Sequence, residues 1–319
     1  MRFFSCGAAS TKVPPQEAKA NHDYYDYSPS TSRRATEAPS ATKRTKRSLL
    51  QVAVWVAVGF FLLNLAGIIL SVVVNAFGTT WFKGPLPEGF TLQWFGQAWQ
   101  DFNLGDVLVT TLQVTFSVLA LSLAFGVPAA YALARRDFPG KKLVMLLMLL
   151  PVMLPPITYG VPLATLMYQL QLAGSLTGVI LVNLVPALPF VILVMTPFIG
   201  QLDRNLESAA RMCGANTWKM FRMVLVPLLT PGILAAGVLI LVRTVAMFEL
   251  TFLVAGPKSE TLIVALYSAA FSTGIRSAQS IDAMAVIYTV MTSLLLMIAL
   301  RFVNPTQIVG QVKGAADDD

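Results

Sequence analysis

The chain has 319 residues, 55 % of them hydrophobic and only 12 % charged, with a net charge of +7 and a mean hydropathy of +0.67. A soluble domain usually carries about a quarter charged residues, so this composition excludes an ordinary soluble enzyme and indicates an all-α polytopic membrane protein. The two cysteines, Cys6 and Cys213, form no C-x-x-C pair, and the single histidine, His22, stands alone in a polar stretch; a disulfide framework and a cysteine–histidine zinc site are thereby excluded.

Residues 1–47 are rich in Ser, Thr, Pro and Ala and have no apolar periodicity, which reads as a disordered tail. "MRFFSC" is too short for a signal-peptide core, and no G-x-x-x-x-G-K-[ST] segment occurs. Crossing a bilayer core of about 30 Å takes about 20 apolar residues in helix. Six stretches qualify, near 49–75, 107–134, 142–168, 175–199, 229–255 and 283–303. They define a membrane domain over 48–305, followed by a short tail over 306–319.

The segment after the first span holds Trp81, Trp94 and Trp99 and reads as an outer, interfacial loop. "ARRDFPGKK" is a compact basic loop after the second span. The third span contains Pro151, Pro155, Pro156 and Pro162, and the fourth Pro186, Pro189 and Pro197. Each removes a backbone donor and predicts a kinked helix. If the N-terminus is cytoplasmic, 19 of the 23 Lys and Arg residues fall on the inner side, the asymmetry expected with both termini inside.

Between the fourth and fifth spans lies "LESAARMCGANTWKMFRMVLVPL", inside a cytoplasmic segment over 200–228. Leu206 to Met212 reads as a helix that Gly214 ends in a left-handed turn. Asn216 can cap a second run to Met223, and Pro227 and Pro231 mark the entry to the fifth span. Leu206, Ala209, Ala210 and Cys213 fall on one small apolar face. Trp218, Met220 and Phe221 add bulk beside Lys219 and Arg222. These features alone leave two readings open: an amphipathic loop at the headgroups, or a surface that receives another protein.

Apart from Lys142 and Arg301 at span ends, Arg243 and Glu249 are the charged residues within the predicted spans, both in the fifth. Charge in a span is expensive and usually faces the bundle interior, so both are candidate pathway residues. Their separation places them about 120° apart on a helix, so they are not a direct pair. Asn64 and Asn183 read as packing groups. The loop from Gly256 to Asp282 is predicted outside, before the sixth span.

The loop residues resemble the permease subunits of binding-protein-dependent ABC importers. Those carry a cytoplasmic E-A-A-x-x-x-G segment followed nine residues later by I-x-L-P. Here Ser208-Ala209-Ala210, three residues, Gly214, nine residues, and Val224-Leu225-Val226-Pro227 keep that register. Ser208 occupies the signature's Glu position, with Glu207 just before it, and Cys213 stands where an acid often precedes the glycine.

The resemblance covers about 49–305. It implies a type I ABC importer permease fold of six transmembrane helices in the bacterial cytoplasmic (inner) membrane. The loop would form coupling helices that dock into a groove on an ATP-hydrolysing subunit, a role carried to Glu207, Ser208, Ala209, Ala210 and Gly214. The chain would have no catalytic residue and bind no cofactor itself, with ATP and Mg held by the partner ATPase. Its implied partners are an ATPase subunit dimer, a second permease that is identical or homologous, an extracytoplasmic solute-binding protein and the lipid bilayer, with no nucleic acid. "FLVAGPKSETLIVALYSAAF" looks most like the spermidine/putrescine group, although iron and sugar permeases share parts of it. The alternatives are an ion-coupled secondary transporter, which usually shows repeated halves and span carboxylates, a membrane enzyme, and a non-transport membrane scaffold.

Overall fold

A computed structural model describes residues 41–79, 87–271 and 277–301. In chain order the helices are α1 (Ala41–Phe77), α2 (Gln93–Asp101), α3 (Leu104–Arg135), α4 (Lys141–Met153), α5 (Pro156–Gln169) and α6 (Leu176–Gly200). They continue as α7 (Arg204–Met212), α8 (Thr217–Met220), α9 (Val226–Val245), α10 (Glu249–Val254), α11 (Leu262–Phe271) and α12 (Ala278–Arg301). A π-helical turn, Phe221–Leu225, joins α8 to α9. No strand occurs among the described residues; Gly78 and Phe90 form one isolated antiparallel bridge. The chain divides into two units between Phe60 and Phe61. The described part of the first belongs to α1, and its side chains from Gln51 to Phe60 are exposed, an apolar surface suited to lipid.

Among the described residues, five helices are long and apolar enough to cross a membrane, and six if α4 and α5 make one broken span. The expected helix over 142–168 is not continuous: α4 and α5 meet at 98°. The tandem Pro155-Pro156 explains the break. A proline disfavours helical backbone in the residue before it, and both Leu154 (φ −76°, ψ 142°) and Pro155 (φ −56°, ψ 132°) are extended. Pro156 then starts α5, where its missing N–H costs nothing. Pro151 and Pro162 lie inside helices, as do the three prolines of α6.

The fifth span is displaced from its expected 229–255. The continuous apolar helix that holds it runs from Thr217 through the π turn to Val245, longer than the about 20 residues a crossing needs, so α8 and the π turn can lie ahead of the bilayer. Backbone between α9 and α10 departs from helix at Ala246, Met247 and Phe248, so Glu249 lies beyond the span, on α10. The first helix starts at Ala41, so the end of the segment read as a disordered tail is helical, and α12 starts at Ala278 rather than near 283. The outer loop expected over 256–282 contains the apolar helix α11. Residues 1–40 and the tail over 306–319 lie outside the described residues, as does Trp81.

Within the second unit, α3 packs along α6, and α9 covers both. Val114, Val118, Val127, Val191, Met195, Ile199, Leu229 and Ile240 are buried in their shared core. Gly126 is what lets α3 and α6 approach: a Cβ there would fall 2.7 Å from Val191 Cγ1, and small residues permit such close crossings of membrane helices. A second core joins the end of α1 to α2, α11 and α12 through Ala76, Ala98, Leu262 and Met284. Trp94 donates its indole N–H to Gly78 O at 2.7 Å, the amphipathic use of Trp expected at an interface. A third core joins α5, α6 and α10 through Met167, Val182, Leu250 and Val254.

Candidate coupling site and pathway residues

The 200–228 loop folds as two short helices because its caps are local. Asp203 accepts from Asn205 N at 2.9 Å and starts α7. Gly214 ends it with φ +80°, and Ala215 N reaches back to Ala210 O at 3.1 Å, a glycine-ended helix C-terminus. Asn216 then accepts from Lys219 N at 2.8 Å and starts α8, the cap expected from its position.

Glu207 turns inward. Its side chain is 11 % exposed, and its Oε1 lies 2.6 Å from Nε of Arg135, itself 8 % exposed. Tyr131 donates its hydroxyl to Glu207 Oε2 at 2.8 Å. Arg135 also donates from Nη2 to Leu202 O at 2.8 Å. Desolvating two charges offsets most of their attraction, so such a pair adds little net stability, but removing one partner leaves a buried charge at a cost of about 3–5 kcal/mol. The contact therefore fixes the geometry of α7 more than it stabilises the fold.

The other loop residues face outward. Ser208 and Ala209 are exposed, and Ala210 is half-buried; Ser208 donates only to Arg204 O, at 3.4 Å. Met212 is 84 % exposed, Trp218 67 % and Met223 65 %, with Leu206 and Cys213 exposed nearby. Met220 and Leu225 are buried and hold the segment to the bundle. The result is an apolar outer surface among Arg204, Arg211, Lys219 and Arg222, all exposed, on residues whose charged companions point to solvent. In the neighbouring loop, Lys141 Nζ lies 2.8 Å from Asp137 Oδ1; its hydrogen bond and charge hold that carboxyl below the usual range.

Arg243 and Glu249 are both half-buried, and neither forms an ion pair among the described residues. Arg243 lies over the Phe190 ring of α6, 5.2 Å from its centroid. Tyr159 of α5 lies within electrostatic reach of both charges, and its hydroxyl donates to Pro151 O at 3.3 Å across the α4–α5 break. Glu249 is flanked by an aromatic group: Phe248 stacks on Phe252 at 5.1 Å and meets Tyr267 at 4.7 Å. The segment after the α4–α5 break, α5, packs against α10, which begins at Glu249. Irregular backbone at membrane depth is tolerated only in protein or beside water.

Tyr131, Arg135, Tyr159 and Phe190 were not singled out from the sequence. Arg135 is one of four basic residues at 135–142, indistinguishable there from its neighbour Arg136. Only its position at the end of α3, four residues after Tyr131, sets it apart.

Residues 122–308, more than half the chain, match the family described as the inner membrane component of binding-protein-dependent transport systems. The permease protein NgcG of the diacetylchitobiose uptake system of Streptomyces coelicolor is 31 % identical over 153 residues, 48 % of this chain and 51 % of that protein. A probable molybdenum ABC transporter permease of Haloferax volcanii is 34 % identical over 177 residues, 53 % of this chain and 65 % of that one. The chain thus spans about half the length of the first of these relatives. A bacterial ABC transporter involved in import of the polysaccharide alginate shares the fold, with a TM-score of 0.68 at 18 % identity over 84 % of this chain and 100 % of the solved one. A methionine ABC transporter in an inward-facing conformation gives 0.50 at 19 % identity, over 61 % and 94 %. The architecture is that of a type I ABC importer permease, and the chain belongs to the family of inner membrane components of binding-protein-dependent transport systems.

Proposed function

We propose that this chain is the permease subunit of an ATP-driven importer and that α7 and α8 are the helices through which a separate ATPase drives it. The observation that carries this reading is the outward apolar surface of Leu206, Met212, Trp218 and Met223 on a capped, internally braced helix pair. Monomeric surfaces rarely leave such side chains in water without a partner. ATP and Mg belong to the partner, which works as a dimer beneath this chain and a second permease. A solute-binding protein delivers the solute on the outer side, and both termini of this chain are cytoplasmic. The spans then rock as packed bodies between inward and outward access.

The solute is a small hydroxylated or oxyanionic molecule. The relatives named above serve a sugar and molybdenum, and the Arg243 guanidinium, in the last turn of α9, suits an anion or a hydroxyl-rich ligand. A polyamine, expected from the 252–271 stretch, finds no support in those names, and Arg243 would repel it. Arg243 and Glu249 border the pathway near α5, whose Tyr159 lies within electrostatic reach of both.

Replacing Met212 and Trp218 together by Asp in the assembled transporter tests the docking reading. Loss of the ATPase subunit on purification, with the permease still in the membrane, is expected. Full retention of that subunit and of uptake would contradict it.

A further inference from the structure

Along the chain, α8 runs into α9; in space, the loop is held by α3. Glu207 is the one charged residue in the buried set among the described residues. Its carboxylate is engaged on both oxygens, by Arg135 Nε and by the Tyr131 hydroxyl. Arg135 grips the loop again at Leu202 O, just before α7. Tyr131 also sets its ring edge-on to Phe221, centroids 5.9 Å apart, at the first residue of the π turn. Tyr131 and Arg135 are four residues apart and so share one face of α3. Between them they hold α7 by its carboxylate and α8 by the ring that follows it. The Tyr131 hydroxyl supplies a directional, charge-assisted hydrogen bond to this carboxylate, while Arg135 Nε meets it as a close ion pair without hydrogen-bond alignment. The covalent route into α9 passes instead through a π turn, a helical irregularity frequent at functional sites. Ser208, in the loop signature's acidic position, faces solvent and carries no charge.

We infer that Tyr131, Arg135 and Glu207 form an internal clamp that makes α3 the span moved rigidly with the coupling helices, and that Glu207 is a positioning residue inside this chain rather than a contact to the ATPase. This rests on the coupling reading of α7 and α8. Because α3 packs along α6, motion delivered to its end passes directly into the bundle core, while the π turn lets α9 follow without being driven.

The test uses the complete transporter reconstituted with its ATPase, second permease and binding protein, measuring uptake per ATP hydrolysed and co-purification of the ATPase subunit. Glu207→Gln is expected to keep the ATPase bound and hydrolysing while uptake per ATP falls about tenfold, the scale of one lost charge-assisted bond. The reversal of Arg135→Glu with Glu207→Arg should recover most of that ratio. Tyr131→Phe removes a single hydrogen bond and should lower the ratio about threefold; if the charge variants fail to reach the membrane, this variant decides. An unchanged ratio in Tyr131→Phe or Glu207→Gln overturns the clamp. Loss of the ATPase subunit from Glu207→Gln but not from Tyr131→Phe would also overturn it, placing Glu207 at the partner contact while leaving the coupling reading intact. Failure of the coupling reading itself would appear separately, as indifference of ATPase binding to Met212 and Trp218.

Discussion

Asn183 of α6 donates from Nδ2 to Thr251 Oγ1 of α10 across 3.1 Å, and to Val179 O of its own helix across 2.8 Å. Both residues are buried. The amide therefore ties the helix bearing Glu249 to the central span, and Asn183 serves packing, as its place in an apolar run suggested.

Asn183→Leu keeps the volume but leaves the Thr251 hydroxyl without its donor. A loss of about 1 kcal/mol is expected, read as a lower unfolding temperature of the purified permease. Uptake should fall more than abundance, because α10 loses its tether. An unfolding temperature equal to that of the parent would show that the bond carries no weight.

Gly214 combines a left-handed backbone with open space: a Cβ there would meet nothing within 4 Å. Backbone strain is therefore the internal cost, about 1–2 kcal/mol for a branched side chain and less for Asn, which tolerates this region. Gly214→Val is expected to abolish uptake with the protein still inserted, and Gly214→Asn to retain most of it. Equal loss in both would point to the volume of any side chain obstructing the docked partner, rather than to the turn.

Arg243 sits over Phe190 and has no carboxylate partner among the described residues. Arg243→Ala should change solute-stimulated ATP hydrolysis severalfold while assembly persists, since a cation–π contact contributes only about 0.5–2 kcal/mol. Quantitative co-purification of all subunits beside the hydrolysis assay checks both. Failure to assemble would make the residue structural.

Lys141 holds the Asp137 carboxyl below its ordinary range. A depressed carboxylate stabilises the folded state above the ordinary carboxylate range, and that contribution is lost as pH falls through the lowered value. The window is thus below about pH 4. Asp137 is exposed, so screening keeps the effect small. Asp137→Asn should leave uptake at neutral pH unchanged and shift acid unfolding only slightly. A large shift would contradict this.

The spans were legible because hydropathy alone marks runs of apolar residues, and the caps at Asn216 and Gly214 were legible because their chemistry is local. The 98° break followed from a tandem proline whose severity, though not its existence, escaped a reading of kinks. The end of the fifth span did not show, because Ala246–Phe248 contains no glycine or proline; Met247 is buried and the turn is set by tertiary packing. The inward rotation of Glu207 was equally hidden. Its partners lie 72 and 76 residues away, and only the closure of α3 on α7 brings them together.

On the proposed coupling role, the turn between α7 and α8 meets the ATPase on the cytoplasmic side. Cys213 is exposed at that turn, and Cys6→Ser leaves it the sole cysteine. A short thiol-linked photo-crosslinker at Cys213, activated in membranes holding the whole transporter, measures the contact directly. An adduct with the ATPase subunit is expected, with no labelling of Cys213 by an impermeant thiol reagent applied from outside. Labelling from outside, or adducts with lipid or the binding protein alone, would contradict it.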